Sequence, residues 1–203
     1  MPNQDFEIIQ RILAGETRAY AELVDRHKDK AMTLAMRLLK NREDAEEALQ
    51  DAFVRAFKAL DRFEMKASFA TWFYRIVFNV CSSALSKRNR AFEISINENG
   101  AADDLNMPAE ASTPEIDIES FEFQQIVREE IERMAPAYGA ILTLFFIQEF
   151  GYEEIVEVTG LPLGTVKNRL FRARMMLREA VLKRIRESVG EWESGRVKRE
   201  QLI

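Results

Sequence analysis

The sequence predicts an all-α protein of two small helical domains joined by an acidic linker, and three observations predict it. Apolar residues recur at spacings of three and four through most of the chain, which is the stripe of an amphipathic helix. No segment alternates apolar and polar residues as a half-buried strand does. A stretch of acids, Asn-Gly and proline separates two helix-rich blocks. The domains are expected at 1–92 and 118–187, with the linker at 93–117 and a C-terminal tail at 188–203 that has no evident role.

In the first block, Asp5 is expected to cap a short helix carrying Phe6, Ile8, Ile9, Ile12 and Leu13, with Gly15 as its stop. Thr17 opens a longer helix whose stripe is Tyr20, Leu23, Val24, Ala31, Leu34, Ala35, Leu38 and Leu39. Asn41 ends or restarts it. The third helix, Arg42 to Leu60, turns Ala45, Leu49, Ala52, Phe53, Ala56 and Phe57 inward. Its other face is acidic early (Glu43, Asp44, Glu46, Glu47, Asp51) and basic late (Arg55, Lys58), the order that suits a helix dipole. A fourth helix, Ser68 to Lys87, holds Phe69, Trp72, Phe73, Tyr74, Ile76, Val77 and Phe78.

The linker is marked by charge. From Asn97 to Glu122 there are eight acids and no lysine or arginine, with Asn99-Gly100, Pro108 and Pro114 as breakers. The second block then opens near Ile118 with Phe121, Phe123, Ile126, Val127, Ile131 and Met134. Pro136 restarts the chain as a helix with Tyr138, Ile141, Leu142, Leu144, Phe145 and Phe146, and Gly151 is expected to stop it. Tyr152 to Thr159, the turn Gly160-Leu161-Pro162, and a helix from Leu163 complete the block.

Composition excludes several function classes. With 203 residues and 47% hydrophobic content the chain has enough apolar material for cores. One cysteine, Cys81, excludes an intrachain disulfide, and one distant histidine, His27, excludes a Cys/His zinc cluster. Cys81 is expected to be a small buried residue and His27 a surface or helix-packing one. There is no Gly-rich phosphate loop, HExxH or nucleophile elbow, so no enzyme, no cofactor and no small-molecule substrate are expected. Nor is there a signal peptide or an apolar run long enough to span a bilayer; a cytoplasmic protein with no membrane insertion is expected.

Net charge is −5, against a polyanion partner at first sight. Its distribution reverses that impression. From Leu163 to Arg186 eight bases stand against the lone acid Glu179. If Ile155, Val158 and Leu161 meet Val166, Leu170, Ala173 and Leu177, the two short helices share one small core as in a helix-turn-helix. Lys167, Asn168, Phe171 and Arg172 then face outward, with Thr165 in the first turn, a surface able to read the major groove. Phe171 could equally pack against a third helix of its own domain.

A second candidate runs from Arg62 to Arg75, where aromatic residues alternate with bases and small polar groups. Aromatic rings stack unpaired bases and cations hold the phosphates between them. Phe69, Trp72, Phe73 and Ile76 also have core spacing, so Lys66, Ser68, Thr71, Tyr74, Arg75 and Asn79 are the better candidates for touching nucleic acid.

Three segments together resemble the extracytoplasmic-function sigma factors: Asp44 to Phe53, Ser68 to Ile76 with Asn79, and Gly164 to Arg174. The resemblance covers nearly the whole chain. It implies a region 2 domain and a helix-turn-helix region 4 domain, and an alternative sigma factor that binds core RNA polymerase and promoter DNA. On that analogy Asp44, Glu47, Gln50 and Asp51 dock on the clamp helices of the polymerase's largest subunit, although a solvated acidic face is the plainer reading of those residues. Lys66, Ser68, Thr71, Trp72, Tyr74, Arg75 and Asn79 would hold the melted minus-10 element. Thr165, Lys167, Asn168, Phe171, Arg172 and Arg174 would read the minus-35 element in duplex, and the acidic linker would thread toward the RNA exit path. The resemblance also implies an anti-sigma protein. From the composition of the linker, a free chain is expected to flex there, and a compact form is expected to pack the two domains so that their basic faces are hidden. A conventional helix-turn-helix regulator acting without polymerase is the alternative; it would not need the aromatic and basic strip beside an acidic helix.

Overall fold

The computed structural model describes residues 3–88 and 121–200. The linker expected at 93–117 lies outside them. Within the described residues the regular structure is helical throughout, in eight α-helices: α1 Asn3–Leu13, α2 Tyr20–Leu39, α3 Arg42–Ala59, α4 Phe69–Arg88, α5 Phe121–Arg133, α6 Pro136–Leu142, α7 Tyr152–Thr159 and α8 Leu163–Glu200.

Helix α1 begins earlier than expected, and Asp5 is not its cap. Its carboxylate instead reaches α2, 2.7 Å from Arg26 Nε and 3.0 Å from His27 Nε2. His27 is therefore a packing residue, buried with its ring edge-on to Phe69 at 5.2 Å. Gly15 stops α1 as expected, at φ 105°, a conformation that side chains resist. A short 3₁₀ turn at Thr17–Ala19 leads into α2, and Asn41 caps α3 by accepting from the Asp44 amide at 2.9 Å.

The α3 stripe is buried apart from one member. Phe57, expected inward, is 41% exposed. Tyr20 takes the space below it: its hydroxyl donates to the Phe53 carbonyl at 2.7 Å, and the Phe57 ring rests on the Tyr20 edge at 4.9 Å. Deeper in, Phe73 stacks on Phe53 at 4.6 Å and on Phe69 at 5.8 Å, an aromatic column between α3 and α4. Cys81 is buried on α4, as expected, and burial pushes its thiol up to about 12.

In the second block, Pro136 opens α6 at its first turn, as expected. The helix widens into a π turn at Thr143–Ile147, closed by the Gln148 amide donating to the Thr143 carbonyl at 3.1 Å. The extra residue ends the helix before the expected stop. Glu149 takes the left-handed φ of 58°, and Gly151 instead begins α7. Gly160, at φ 70°, makes the turn between α7 and α8. The backbone of α8 runs on to Glu200, so through that residue the expected tail is a continuation of the helix. Arg184 ties α8 to α5 by pairing with Glu129 and with Glu130, the latter at 2.9 Å.

The two blocks lie against each other, α4 on α7 and α2 on α6. One hydrophobic core crosses the boundary, joining Leu34, Phe73 and Val77 of the first block to Leu144, Phe150 and Ile155 of the second. A smaller core, Met134, Ile141, Leu142, Leu170 and Ala173, belongs to the second block by itself. Polar ties cross as well. Arg37 pairs with Glu132 at 3.2 Å, Gln148 donates to the Lys30 carbonyl at 3.1 Å, and Lys40 donates to the Glu132 carbonyl. Among the described residues no helix is long and apolar enough to cross a membrane, and no acidic, histidine and cysteine side chains gather as a metal site.

Candidate nucleic-acid interfaces

The helix-turn-helix is set by its small core. Ile155, Val158, Val166, Leu170 and Ala173 are buried, which fixes how far α8 is rotated about its axis. The opposite face carries the predicted reading residues. Phe171 is 41% exposed, so it does not pack into its own domain. Thr165, Lys167, Asn168 and Arg172 are half-buried around it, and Arg174 is exposed.

Two of these cations rest on rings. Lys167 Nζ lies 5.8 Å from the centroid of Tyr152, and the Arg174 guanidinium lies 4.6 Å from Phe145 and 5.4 Å from Phe146. The Arg174 platform lies in the π turn, where the neighbouring rings of Phe145 and Phe146 stand 5.0 Å apart and edge to face. Sequence spacing alone does not place that platform, since its helical register breaks at Thr143. One base of the helix does not face out: Arg169 is buried, and desolvation lowers its pKa.

The first-block strip is divided by the fold. Phe69 and Phe73 are buried in the aromatic column, while Trp72 is half-buried against Phe63 at 4.9 Å. Lys66, Ser68, Arg75 and Asn79 are exposed. Thr71 and Tyr74 are not presented to solvent, each being 1% exposed. The second block covers both.

Ser68 caps α4. The Thr71 amide donates to Ser68 Oγ at 3.0 Å, and the two hydroxyls lie 2.8 Å apart. Thr71 Oγ1 then donates to Glu154 Oε1 of α7 at 2.9 Å. The other oxygen of that carboxylate accepts from the Gly151 amide at 2.9 Å, so Glu154 caps its own helix and grips the start of α4 at once. Glu154 was visible in the sequence as an acid in the first turn of a helix; its partner 83 residues away was not.

Tyr74 meets Phe150 edge to face at 5.5 Å. Its hydroxyl lies beside Gln148, whose amide is committed to Lys30, and finds no hydrogen-bond partner among the described residues. Burial pushes the phenol pKa up, which keeps it neutral. An unpartnered buried hydroxyl costs about 1–3 kcal/mol. Arg37 Nε is likewise buried without a partner at the same boundary. The expected hiding of basic faces is thus not what the packing does: it covers a hydroxyl and a phenol, and leaves Lys66, Arg75, Phe171 and Arg174 outside.

On α3 the face away from the core presents Glu47 and Gln50 to solvent, with Asp44 and Asp51 half-buried beside them. Asp51 pairs with Arg55 at 2.8 Å.

Residues 23–91 match the family Sigma-70 region 2 and residues 124–177 match Sigma-70, region 4. The chain is similar to the ECF RNA polymerase sigma factor SigW of Bacillus subtilis, 32% identical over 175 residues that span 84% of this chain and 93% of the relative. It is similar to the ECF RNA polymerase sigma-E factor of Escherichia coli K12, 33% identical over 178 residues, 84% of this chain and 90% of the relative. Two solved structures share the fold. CnrH in complex with the cytosolic domain of CnrY has a TM-score of 0.58 at 23% identity, with 87% of this chain and 95% of that chain covered. The sigma factor RpoE in complex with the anti-sigma factor NepR, from Bartonella quintana, has a TM-score of 0.57 at 24% identity, with 81% and 96% covered.

Proposed function

The chain belongs to the ECF RNA polymerase sigma factors, alternative sigma factors that direct transcription initiation, and on that premise we propose how its surfaces divide the work. It binds core RNA polymerase and promoter DNA. The helix-turn-helix reads the minus-35 element in intact duplex. Its bases are contacted by Lys167, Asn168 and Arg172, with Phe171 supplying apolar contact and Thr165 and Arg174 holding phosphates. The start of α4 holds the melted minus-10 strand. There Lys66, Arg75 and Asn79 meet the backbone, Trp72 and Tyr74 offer ring faces, and Ser68 and Thr71 offer hydroxyls.

The domains are 1–92 for region 2 and 118–187 for region 4, with an acidic connection at 93–117 that threads toward the RNA exit path. Asp44, Glu47, Gln50 and Asp51 dock on the clamp helices of the polymerase's largest subunit. The protein acts in the cytoplasm as a recognition subunit without a catalytic site, and an anti-sigma protein holds it inactive.

The observation that carries this reading is the exposed Phe171 face of α8 standing in one chain with the aromatic and cationic start of α4. Run-off transcription from a promoter library, with purified core polymerase and with or without this chain, tests it. New start sites that appear only when the chain is added are expected. Duplex binding without any gain in initiation would mean a conventional regulator.

A further inference from the structure

We infer that helix α1 positions the single-strand site from behind: the Asp5–His27 pair fixes the ring of Phe69, and Phe69 fixes Trp72. This rests on the proposed reading of Trp72 as a ring face for an unpaired base. The line of contacts is continuous. Asp5 Oδ2 on α1 meets His27 Nε2 on α2 at 3.0 Å, while Asp5 Oδ1 accepts from Arg26 Nε at 2.7 Å. Arg26 also donates to Gln4 Oε1 at 2.8 Å, so two side chains of α1 are tied to α2. The His27 imidazole is buried and stands edge to face with Phe69 at 5.2 Å. Phe69 in turn lies 5.8 Å from Trp72 and 6.1 Å from Phe63, and those two rings are 4.9 Å apart.

The carboxylate decides how the imidazole is turned. Without Asp5, Nε2 would be left among aromatic rings with no partner, and an imidazole rotates to avoid that. Phe69 follows the Ser68 cap directly, in the first turn of α4, and Trp72 comes one turn later. Close-packed rings shift together, so a turn of His27 is passed through Phe69 to Trp72. Phe73 also meets His27, at 6.0 Å, but it is clasped between Phe53 at 4.6 Å and Phe69 at 5.8 Å. The middle of the aromatic column is thus held from two sides, and its end beside the strand site is anchored by His27. Neither member of the pair is suited to touch the strand. His27 is buried, and the charge of Asp5 would repel a phosphate. They are positioning residues that act through Phe69.

The test uses the full chain carrying Trp192→Phe, in which Trp72 is the single tryptophan. Asp5→Ala, His27→Phe and the two together are compared with that parent. Binding of a fluorescein-labelled single-stranded oligonucleotide of mixed sequence is measured together with iodide quenching of Trp72 emission. Duplex binding reports that the helix-turn-helix remains folded. Asp5→Ala is expected to weaken strand binding about fivefold, the low end of what one stacked base contributes, and to raise the quenching of Trp72. Duplex affinity is expected to stay unchanged. His27→Phe keeps a ring against Phe69 and needs no acceptor, so the double variant is expected to recover the parent's strand affinity and quenching. A role for Asp5 only in docking α1 predicts no recovery, because Arg26 still lacks its carboxylate. Unchanged strand affinity for Asp5→Ala overturns the inference, and so does a loss that His27→Phe does not restore. Trp72→Ala separates this from the underlying reading. If it leaves strand affinity unmoved, the assignment of Trp72 to the strand falls, and the inference with it.

Discussion

The guanidinium of Arg174 lies over the ring of Phe145, 4.6 Å from its centroid, and the residue is otherwise exposed. The ring holds a long, flexible cation in one direction while leaving its outer edge for a partner. Replacing Phe145 with leucine keeps apolar bulk but removes the π face, which is worth about 0.5–1 kcal/mol at an exposed site. Duplex affinity is expected to fall by the corresponding factor of about two to five, equally on all sequences. Fluorescence anisotropy on specific and random duplexes checks this. A loss confined to the specific duplex would show that Arg174 reads bases.

Arg172 and Arg178 separate reading from holding. Arg172 is half-buried beside the exposed Phe171, whereas Arg178 stands further along α8, exposed. Arg172→Ala is expected to cost about 1–3 kcal/mol on a cognate duplex and much less on a random one. Arg178→Ala should weaken both alike and lower the slope of affinity against salt by about one. Equal loss on both duplexes for Arg172→Ala would defeat the assignment.

Two phenylalanines of opposite exposure make a stability test. Phe73 is fully buried between Phe53 and Phe69, so Phe73→Ala should destabilise the chain by about 3–5 kcal/mol. Phe171→Ala should change stability by no more than about 0.5 kcal/mol while weakening duplex binding. Urea denaturation and duplex titration of the same samples give both numbers. A large loss of stability for Phe171→Ala would make it a core residue after all.

Asp5 gives a pH dependence. Burial acts to raise its pKa, but the hydrogen bonds and charges of His27 and Arg26 outweigh it and leave the carboxyl below its ordinary 3.8. A carboxylate favoured by folding contributes stability in full above its ordinary pKa. That contribution is lost as the pH falls through the lower folded value. Asp5→Asn should therefore be less stable than the parent at neutral pH, with the gap narrowing once the pH drops below about 4. Denaturation midpoints across that range measure it, and a gap independent of pH would show that the pairing adds nothing through charge.

Much of this protein was legible in its sequence, because helix registers are local. The stripes of α2, α3 and α4, the break at Asn41, the Gly15 stop and the Gly160 turn follow from spacing and from φ angles that only some residues tolerate. The outward face of α8 followed too, since burying Val166, Leu170 and Ala173 leaves Phe171 no other side. Where local rules failed, a distant contact had intervened. Asp5 looked like a cap until Arg26 and His27 claimed its carboxylate, Phe57 was displaced outward by Tyr20, and the π turn moved the stop from Gly151 to Glu149.

What the sequence by itself determined is the set of helices and the two surfaces with their chemistry, for these depend on periodicity, caps and the placement of charge. What only the tertiary structure decided is how the surfaces stand to each other. Nothing in either segment alone couples Thr71 to Glu154 or Tyr74 to Phe150, because a contact across 83 residues is set by how two cores fit together, and periodicity carries no information about that fit.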